Sequence, residues 1–214
     1  MIFWEKILWE GSSPYNGKVK VVESNGVRRL VADRYTQSRL LDETGKTNHY
    51  WDRFKENLPL LEKNPQVLIL GMGGGTIGRI LKTKYSSVKI KGVEIDPLIV
   101  ELGKKFFYLD DKDIELLVED AGSFISKDTD KYDAVCVDLF FKEKVSDLLH
   151  EENFLKKVRE RLKENGVVII NKICRDSKED NDFVLDMRKV FKEVKVSRER
   201  GNKYEQNVIF CGKA

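Results

Sequence analysis

The sequence predicts an α/β protein built on a mostly parallel sheet, with a small β-stranded extension in front of it. From about residue 66 onward, short apolar runs typical of buried strands alternate with amphipathic helical patterns. Near the end, Gly201-Asn202 separates two strand-like runs, which is typical of a hairpin and makes the last strand antiparallel. The first 45 or so residues instead contain strand patterns and tight-turn residues.

In the front part, KVKVVESNG and VRRLVADR predict a hairpin that turns at Asn25-Gly26. The runs ILWEGSS and SRLLDE predict further strands, and GKTNHYWDRFKENLPLL predicts a helix. We therefore divide the chain into an N-terminal β-stranded extension, residues 1–55, and an α/β domain, residues 56–214.

In the α/β domain, strands and helices are predicted in strict alternation until the final hairpin. Pro97 suits the first turn of its helix, and the helix before residue 162 is expected to be interrupted near His150. The predicted strands are 67–70, 88–95, 114–120, 132–140, 166–172 and the two arms of the hairpin, and the helices are 77–85, 97–107, 121–127, 145–162 and 182–194.

Composition excludes several classes of protein. The 214 residues are 41% hydrophobic and 35% charged, and the net charge of +3 is too balanced to indicate a nucleic-acid partner. No apolar run approaches the roughly 20 residues that a membrane span needs. Three scattered cysteines and the lack of a signal-peptide pattern favour a reducing cytoplasm and give no metal site. Heavy use of Lys and Glu hints at a thermophile.

The most informative stretch is LILGMGGGTIG, residues 68–78, which follows the first predicted strand of the domain. In an open α/β sheet, ligands bind beyond the carboxyl ends of the strands. Gly71, Gly73, Gly74 and Gly75 allow positive φ and a close approach of the backbone, and a helix N-terminus follows. We expect this loop to contact a ligand, with a tight packing turn as the structural alternative.

The spacing Gly73-x-Gly75-x-x-Gly78, followed by Glu94, also fits the dinucleotide-binding fingerprint. Glu94 and a second acidic residue, Asp120, however, end neighbouring strands. Glu94 is placed to bind both ribose hydroxyls, and Asp120 either accepts from an adenine amino group or caps the following helix. This pattern favours a single nucleoside, and S-adenosylmethionine fits it better than NAD.

In its glycine loop and in the acidic residues that end its strands, the chain resembles the polyamine aminopropyltransferase (spermidine synthase) family. The resemblance rests on VLILGMGGGTIGRIL, VEID, VEDAGSFI, YDAVCVDLF and LKENGVVIINK, and on the front segment VVESNGVRRLVADRYTQS. It implies the Rossmann-like class I methyltransferase fold, with seven strands of which the last is antiparallel. It also implies a cofactor site formed by Gly71, Gly73, Gly75, Glu94, Ile95, Asp120, Ala121 and Asp138.

The departures from the family pattern concern its carboxylates. The family carries an aspartate in the glycine loop, and this position is Gly73 here. The family's Asp-x-x-Asp-Pro motif is reduced to Asp138 followed by Leu-Phe-Phe, with Phe141 at the second aspartate and no proline. The family's Asp-Gly-x-x-Gln segment is represented by residues 33–37, which end in Gln37.

These carboxylates are missing, and the bare N–H groups of the glycine loop are expected to receive the carboxylate of an intact cofactor. The expected main activity is therefore methyl transfer from intact S-adenosylmethionine to a small amine or hydroxyl acceptor. Asp138 is the expected catalytic residue, and Gln37, His49 and Tyr50 are the candidate substrate residues. Aminopropyl transfer from decarboxylated S-adenosylmethionine, and a non-catalytic binding module, stay open as alternatives. The expected partners are a small-molecule substrate and, through an unpaired strand edge, a second copy of the chain.

Overall fold

The computed structural model describes residues 5–61, 63–141, 144–145, 147–174, 177–198 and 206–214. Its N-terminal extension is a four-stranded antiparallel sheet in the order β1-β2-β3-β4. The predicted hairpin at Asn25-Gly26 is confirmed, and both residues have positive φ, 52° and 74°. The four strands are β1 (Lys6–Ser13), β2 (Gly17–Ser24), β3 (Val27–Ala32) and β4 (Tyr35–Arg39).

The α/β domain contains a seven-stranded sheet in the order β12-β13-β11-β8-β5-β6-β7. As predicted, the last strand is antiparallel to both of its neighbours, whereas the strands from β11 to β7 pair in parallel. The turn predicted at Gly201-Asn202 lies outside the described residues. The strands are β5 (Gln66–Leu70), β6 (Lys89–Glu94), β7 (Ile114–Val118), β8 (Tyr132–Val137), β11 (Leu162–Cys174), β12 (Lys192–Arg198) and β13 (Gln206–Lys213).

Helices cover both faces of this sheet. They are α1 (Asp52–Asn57), α2 (Thr76–Lys84), α3 (Pro97–Phe107), α4 (Ala121–Lys127), α5 (Glu152–Arg161) and α6 (Ser177–Val190). The interruption predicted near His150 is confirmed, because a short 3₁₀ helix, Asp147–His150, precedes α5. Two short strands, β9 (Phe140–Phe141) and β10 (Lys144–Val145), pair with each other between β8 and this turn.

The predicted first helix is much shorter than its pattern suggested. Residues 42–51 form turns, and the helix that follows them, α1, is only six residues long. The Asp52 carboxylate accepts hydrogen bonds from the backbone N–H groups of Thr47 and Asn48, at 2.8 to 3.2 Å. Such side-chain bonds give the backbone an alternative to the helix. The predicted boundary between residues 55 and 56 falls inside α1.

The sheet separates two apolar cores, because side chains alternate between its faces. In β5, Leu68 and Leu70 belong to one core, and Val67 and Ile69 belong to the other. A third core joins the extension to the domain. In it, Val19, Val21 and Leu30 of the small sheet pack against Ile99, Leu102 and Phe107 of α3.

In the described part of the chain, the longest helices are too short and too polar to cross a bilayer.

The extension lies on the side of the domain where the parallel strands end, because residues of both line one cavity there.

Candidate active site

A cavity of about 480 Å³ lies at the carboxyl ends of β5, β6, β7, β8 and β11. The turn between β1 and β2, residues 35–38 of β4 and residues 49–51 form its other walls, so both parts of the chain contribute. Its volume lies in the usual range for a small-molecule site. Ten of the residues predicted from the sequence line it: Gln37, His49, Tyr50, Gly71, Gly73, Glu94, Ile95, Asp120, Ala121 and Asp138.

The glycine loop allows close approach between two strand ends. Gly71 has a φ of 83°, and a Cβ atom there would overlap the backbone carbonyl of Asp138. The N–H of Asp138 donates to the carbonyl of Leu70 at 2.9 Å, which fixes this contact. Gly71 is therefore required by both its conformation and its surroundings.

The N–H groups of the glycine loop all donate within the protein. They are therefore not available to a ligand carboxylate, and the prediction that they receive one is wrong. Gly71 and Met72 donate to the Val93 carbonyl at 2.9 Å, Gly73 to Glu94 Oε2 at 2.8 Å, Gly74 to Ser38 Oγ at 2.6 Å and Gly75 to the Met72 carbonyl at 3.0 Å. The loop is thus held by its neighbours before any ligand arrives.

Gly75, predicted to contact the cofactor, is not among the residues that line the cavity. It lies at the N-cap of α2 with a φ of 90°, and a Cβ atom there would come within 2.5 Å of Leu109 Cδ1. The structure places Gly75 in a packing position behind the loop, which is the alternative that the sequence left open for these glycines.

Glu94 connects the loop to the start of α3. Its carboxylate accepts from the N–H of Gly73, as described, and from the N–H of Asp96 at 3.1 Å. Burial raises the pKa of the Glu94 carboxyl, and these backbone donors oppose the rise. Ile95 follows in the cavity wall. Glu94 is thus oriented before it meets a ligand.

Asp96 anchors the extension over this side of the cavity. It is fully buried and accepts from Ser13 Oγ, from Asn16 Nδ2 at 2.6 Å and, as the N-cap of α3, from the N–H of Leu98 at 2.9 Å. Asn16 and its neighbour Tyr15 line the cavity. This contact was not predicted, because its only signal in the sequence is the Asp96-Pro97 pair at a helix start.

Asp120 is the N-cap of α4, because its Oδ1 accepts from the N–H of Ser123 at 2.8 Å. This confirms the structural alternative for Asp120. The residue also lines the cavity beside Ala121, so the predicted contact with an adenine amino group stays a prediction.

Asp138 follows β8 and accepts hydrogen bonds from three neutral donors. These are Tyr50 Oη at 3.0 Å, Trp51 Nε1 at 3.1 Å and Asn171 Nδ2 at 2.9 Å. Burial raises the pKa of the Asp138 carboxyl, and the three hydrogen bonds act against that rise. Burial, together with the charge of Asp138, also raises the pKa of Tyr50 well above its usual value.

Of the remaining candidate residues, Gln37 and His49 line the same cavity. His49 Nε2 lies 2.7 Å from Arg39 Nη1, and the His49 ring packs edge-on against Trp51 at 5.8 Å. Gln37 lies in β4, and its carbonyl accepts from Ser38 Oγ at 2.6 Å. Phe141 lies in β9, with its side chain outside the described part of the structure.

The cavity is acidic. Four carboxylates line it, those of Glu94, Glu119, Asp120 and Asp138, and no lysine or arginine occurs among its described lining residues. Lys127 pairs with Glu119 at 2.6 Å. Aromatic rings complete the walls, from Tyr15, Tyr35, His49, Tyr50, Trp51 and Phe140. Carboxylates and aromatic faces both attract cations, so the site suits positively charged ligands.

The fold and site define an α/β protein with an acidic small-molecule cavity at the carboxyl edge of its sheet, and comparison with known proteins identifies its family. Residues 56–210 match the family model described as "Spermine/spermidine synthase domain". The chain therefore belongs to the spermine/spermidine synthase family, as its resemblance predicted.

The curated relatives and solved structures agree with this assignment. The chain is 32% identical over 171 residues to a probable polyamine aminopropyl transferase of Bifidobacterium longum, covering 79% of this chain and 38% of the relative. It is 36% identical over 177 residues to a polyamine aminopropyltransferase of Saccharolobus solfataricus, covering 77% and 57%. The chain thus spans between 38% and 57% of the length of these relatives.

A probable spermidine synthase from Corynebacterium glutamicum superposes with a TM-score of 0.81 at 16% identity, over 97% of this chain and 79% of that one. This likeness confirms the predicted fold, a class I methyltransferase-like sheet with an N-terminal β extension.

Proposed function

We propose that this protein transfers an aminopropyl group from decarboxylated S-adenosylmethionine to the nitrogen of an amine. The observation that carries the proposal is the acidic cavity, whose described lining residues include four carboxylates and no lysine or arginine. The curated relatives that match the chain are named polyamine aminopropyltransferases, which supports the same reaction. The expectation of methyl transfer, which we preferred from the sequence, loses its support.

The preference for an intact cofactor depended on N–H groups that could receive its carboxylate. Those of residues 71–75 already donate within the protein. A carboxylate brought into this cavity would face four others, and burying an uncompensated charge is strongly unfavourable. Decarboxylated S-adenosylmethionine instead carries two positive charges, on its sulfonium and its ammonium, and both are favoured by acidic walls.

In the proposed complex, Glu94 binds the ribose hydroxyls and Asp120 accepts from the adenine amino group. Ile95 and Ala121 supply the apolar surface between them, and Gly71 and Gly73 let the backbone approach the chain of the cofactor. The supporting observation is that all of these residues line the cavity.

The aminopropyl ammonium needs acceptors near Gly73. A Cβ atom at Gly73 would lie 3.0 Å from Ser38 Oγ and 3.2 Å from the Gln37 carbonyl. These oxygens border the space that a side chain at residue 73 would enter. We assign them, with the Gln37 side chain, to the binding of this ammonium.

The reaction is a displacement at carbon. The lone pair of the acceptor nitrogen attacks the aminopropyl CH₂ bonded to the sulfonium, an N–C bond forms, and the C–S bond breaks with its electron pair moving to sulfur. Methylthioadenosine leaves, and the nitrogen releases a proton. Asp138 accepts this proton, favoured by its raised pKa, while Tyr50 and His49 position the amine. The protein contributes mainly alignment of the two reactants.

Competition calorimetry with the intact and decarboxylated cofactors tests the proposal, followed by mass spectrometry of products from a panel of amines. We expect the decarboxylated form to bind at least tenfold more tightly, which corresponds to about 1.4 kcal/mol, and the amine to gain an aminopropyl group. Tighter binding of the intact form with methylated products would contradict the proposal. Nucleoside binding without transfer to any amine would favour the non-catalytic alternative.

A further inference from the structure

Arg79 of α2 is a mostly buried cation that lies outside the cavity. Its guanidinium donates to two backbone carbonyls, that of Phe107 and, at 3.3 Å, that of Arg39. It also lies over the Phe107 ring, 5.9 Å from the centroid. Burial lowers the pKa of Arg79 to about 10, and no described carboxylate pairs with it. Burying a cation without a counter-charge is unfavourable, which makes Arg79 a candidate for a role beyond packing.

The two carbonyls that Arg79 binds belong to different parts of the protein. Phe107 is the last residue of α3, and a helix C-terminus attracts positive charge. Arg39 is the last residue of β4 in the extension. Arg79 therefore joins the end of the extension to two helices of the α/β domain.

A second residue of α2 binds the same end of β4. Thr76 Oγ1 accepts from the N–H of Arg39 at 2.9 Å and donates to the Arg39 carbonyl at 3.1 Å. The preceding residue, Ser38, is buried, and its Oγ accepts from the N–H of Gly74 at 2.6 Å. The end of β4 is thus held on the glycine loop and on α2, in addition to its pairing with β3.

This end of β4 carries the oxygens that the proposed function assigns to the aminopropyl ammonium, Ser38 Oγ and the Gln37 carbonyl. Hydrogen bonds weaken steeply when their distance and angle change, so these oxygens must be held in place. We infer that Arg79 is a positioning residue for the cofactor, because it fixes the strand end that binds the ammonium. Arg79 is not among the described lining residues of the cavity, so it acts through β4. The inference rests on the proposed aminopropyl transfer.

Arg161 offers a matched control elsewhere in the fold. It is the last residue of α5, and its Nη1 donates to the carbonyl of Asp128, the residue that follows α4. Like Arg79, it is absent from the described cavity lining, and its Nε is buried without a hydrogen-bond partner in the described structure. The two arginines therefore share their contact with a helix end, and only Arg79 also contacts β4.

Arg79→Met and Arg161→Met remove the guanidinium and keep an apolar side chain. Calorimetry gives the dissociation constants of decarboxylated S-adenosylmethionine and of methylthioadenosine, which lacks the aminopropyl group. We expect Arg79→Met to weaken binding of the decarboxylated cofactor at least fivefold and that of methylthioadenosine less than twofold. Arg161→Met should leave the ratio of the two constants unchanged. Thermal melts confirm that both variants are folded.

An unchanged ratio in Arg79→Met, or the same change in both variants, would overturn this inference alone. A preference of the unmodified protein for intact over decarboxylated S-adenosylmethionine would instead overturn the proposed function, and this inference with it. If Arg79→Met does not fold, Arg79→Lys takes its place, since lysine keeps the charge without the planar fork that reaches two carbonyls. We expect it to shift the ratio at least twofold in the same direction, and an unchanged ratio there would overturn the inference.

Discussion

Asp138 is held by groups that carry no charge themselves. Its contacts with Tyr50, Trp51 and Asn171 stabilise the ionised carboxylate, whereas burial favours the neutral acid and dominates. Its pKa is therefore raised, and the acid limb of the pH profile is expected above that of an exposed aspartate. Activity should be present above this pKa and decline as the pH falls through it, because the protonated acid can no longer accept a proton.

Tyr50→Phe should move this acid limb to higher pH. The substitution removes a hydrogen bond that lowers the pKa of Asp138, so the carboxyl protonates more readily. The measurement is the pH dependence of kcat/KM for aminopropyl transfer, with thermal melts to confirm folding. Tyr108→Phe, at a side chain that is 73% exposed, is the matched control. An unchanged limb, or one at lower pH, would contradict the assignment of Asp138 as proton acceptor.

The position of a site residue could be predicted from the sequence where the residue directly follows a recognisable strand. Glu94, Asp120 and Asp138 each follow an apolar run, so the topology of the fold put them at one edge. Trp51 reaches Asp138 across 87 residues, and Ser38 reaches Gly74 across 36. Local periodicity carries no information on such contacts, because they depend on how the extension packs against the domain.

At the scale of elements, the turn from β5 to α2 requires a glycine at Gly71 because of its positive φ and because of its close contact with the Asp138 backbone. Substitution of Gly26, which has only the positive φ, and of Gly71, which has both, separates the two causes. Gly26→Ala introduces a positive-φ alanine with no heavy atom within 4 Å of the new Cβ, so we expect a loss of about 1 kcal/mol. Gly71→Ala adds a clash with the Asp138 carbonyl and should cost about 1–3 kcal/mol more. Urea unfolding measures both losses. Equal losses would show that the approach of the two strand ends can relax.

The strands and most helices were predictable because their apolar period is long enough to recognise. The segment before α1 was not, since hydrogen bonds from the backbone to the Asp42 and Asp52 carboxylates replace the helical ones. Asp and Asn favour such turns, but their sequence positions alone do not show whether the turn or the helix is more stable.

For the whole molecule, the core shared by the extension and α3 should make the protein unfold as one unit. Leu30→Ala removes a fully buried side chain from this core and is expected to cost about 2–5 kcal/mol. Urea unfolding followed by both circular dichroism and fluorescence should give coincident transitions, shifted together. Ile7→Ala, at a side chain that is 50% exposed, is the control and should change little. Separate transitions for the two probes would show that the extension unfolds independently.

The acidic walls of the cavity also affect how a ligand arrives. The chain as a whole has a net charge of +3, so a dication approaching from a distance is weakly repelled until it nears the cavity mouth. At physiological ionic strength, screening acts over about 8 Å and removes this distant repulsion more completely than the attraction inside. Added salt should therefore first raise and then lower the rate at which the dication associates with the protein. The association rate constant is expected to pass through a maximum at intermediate ionic strength.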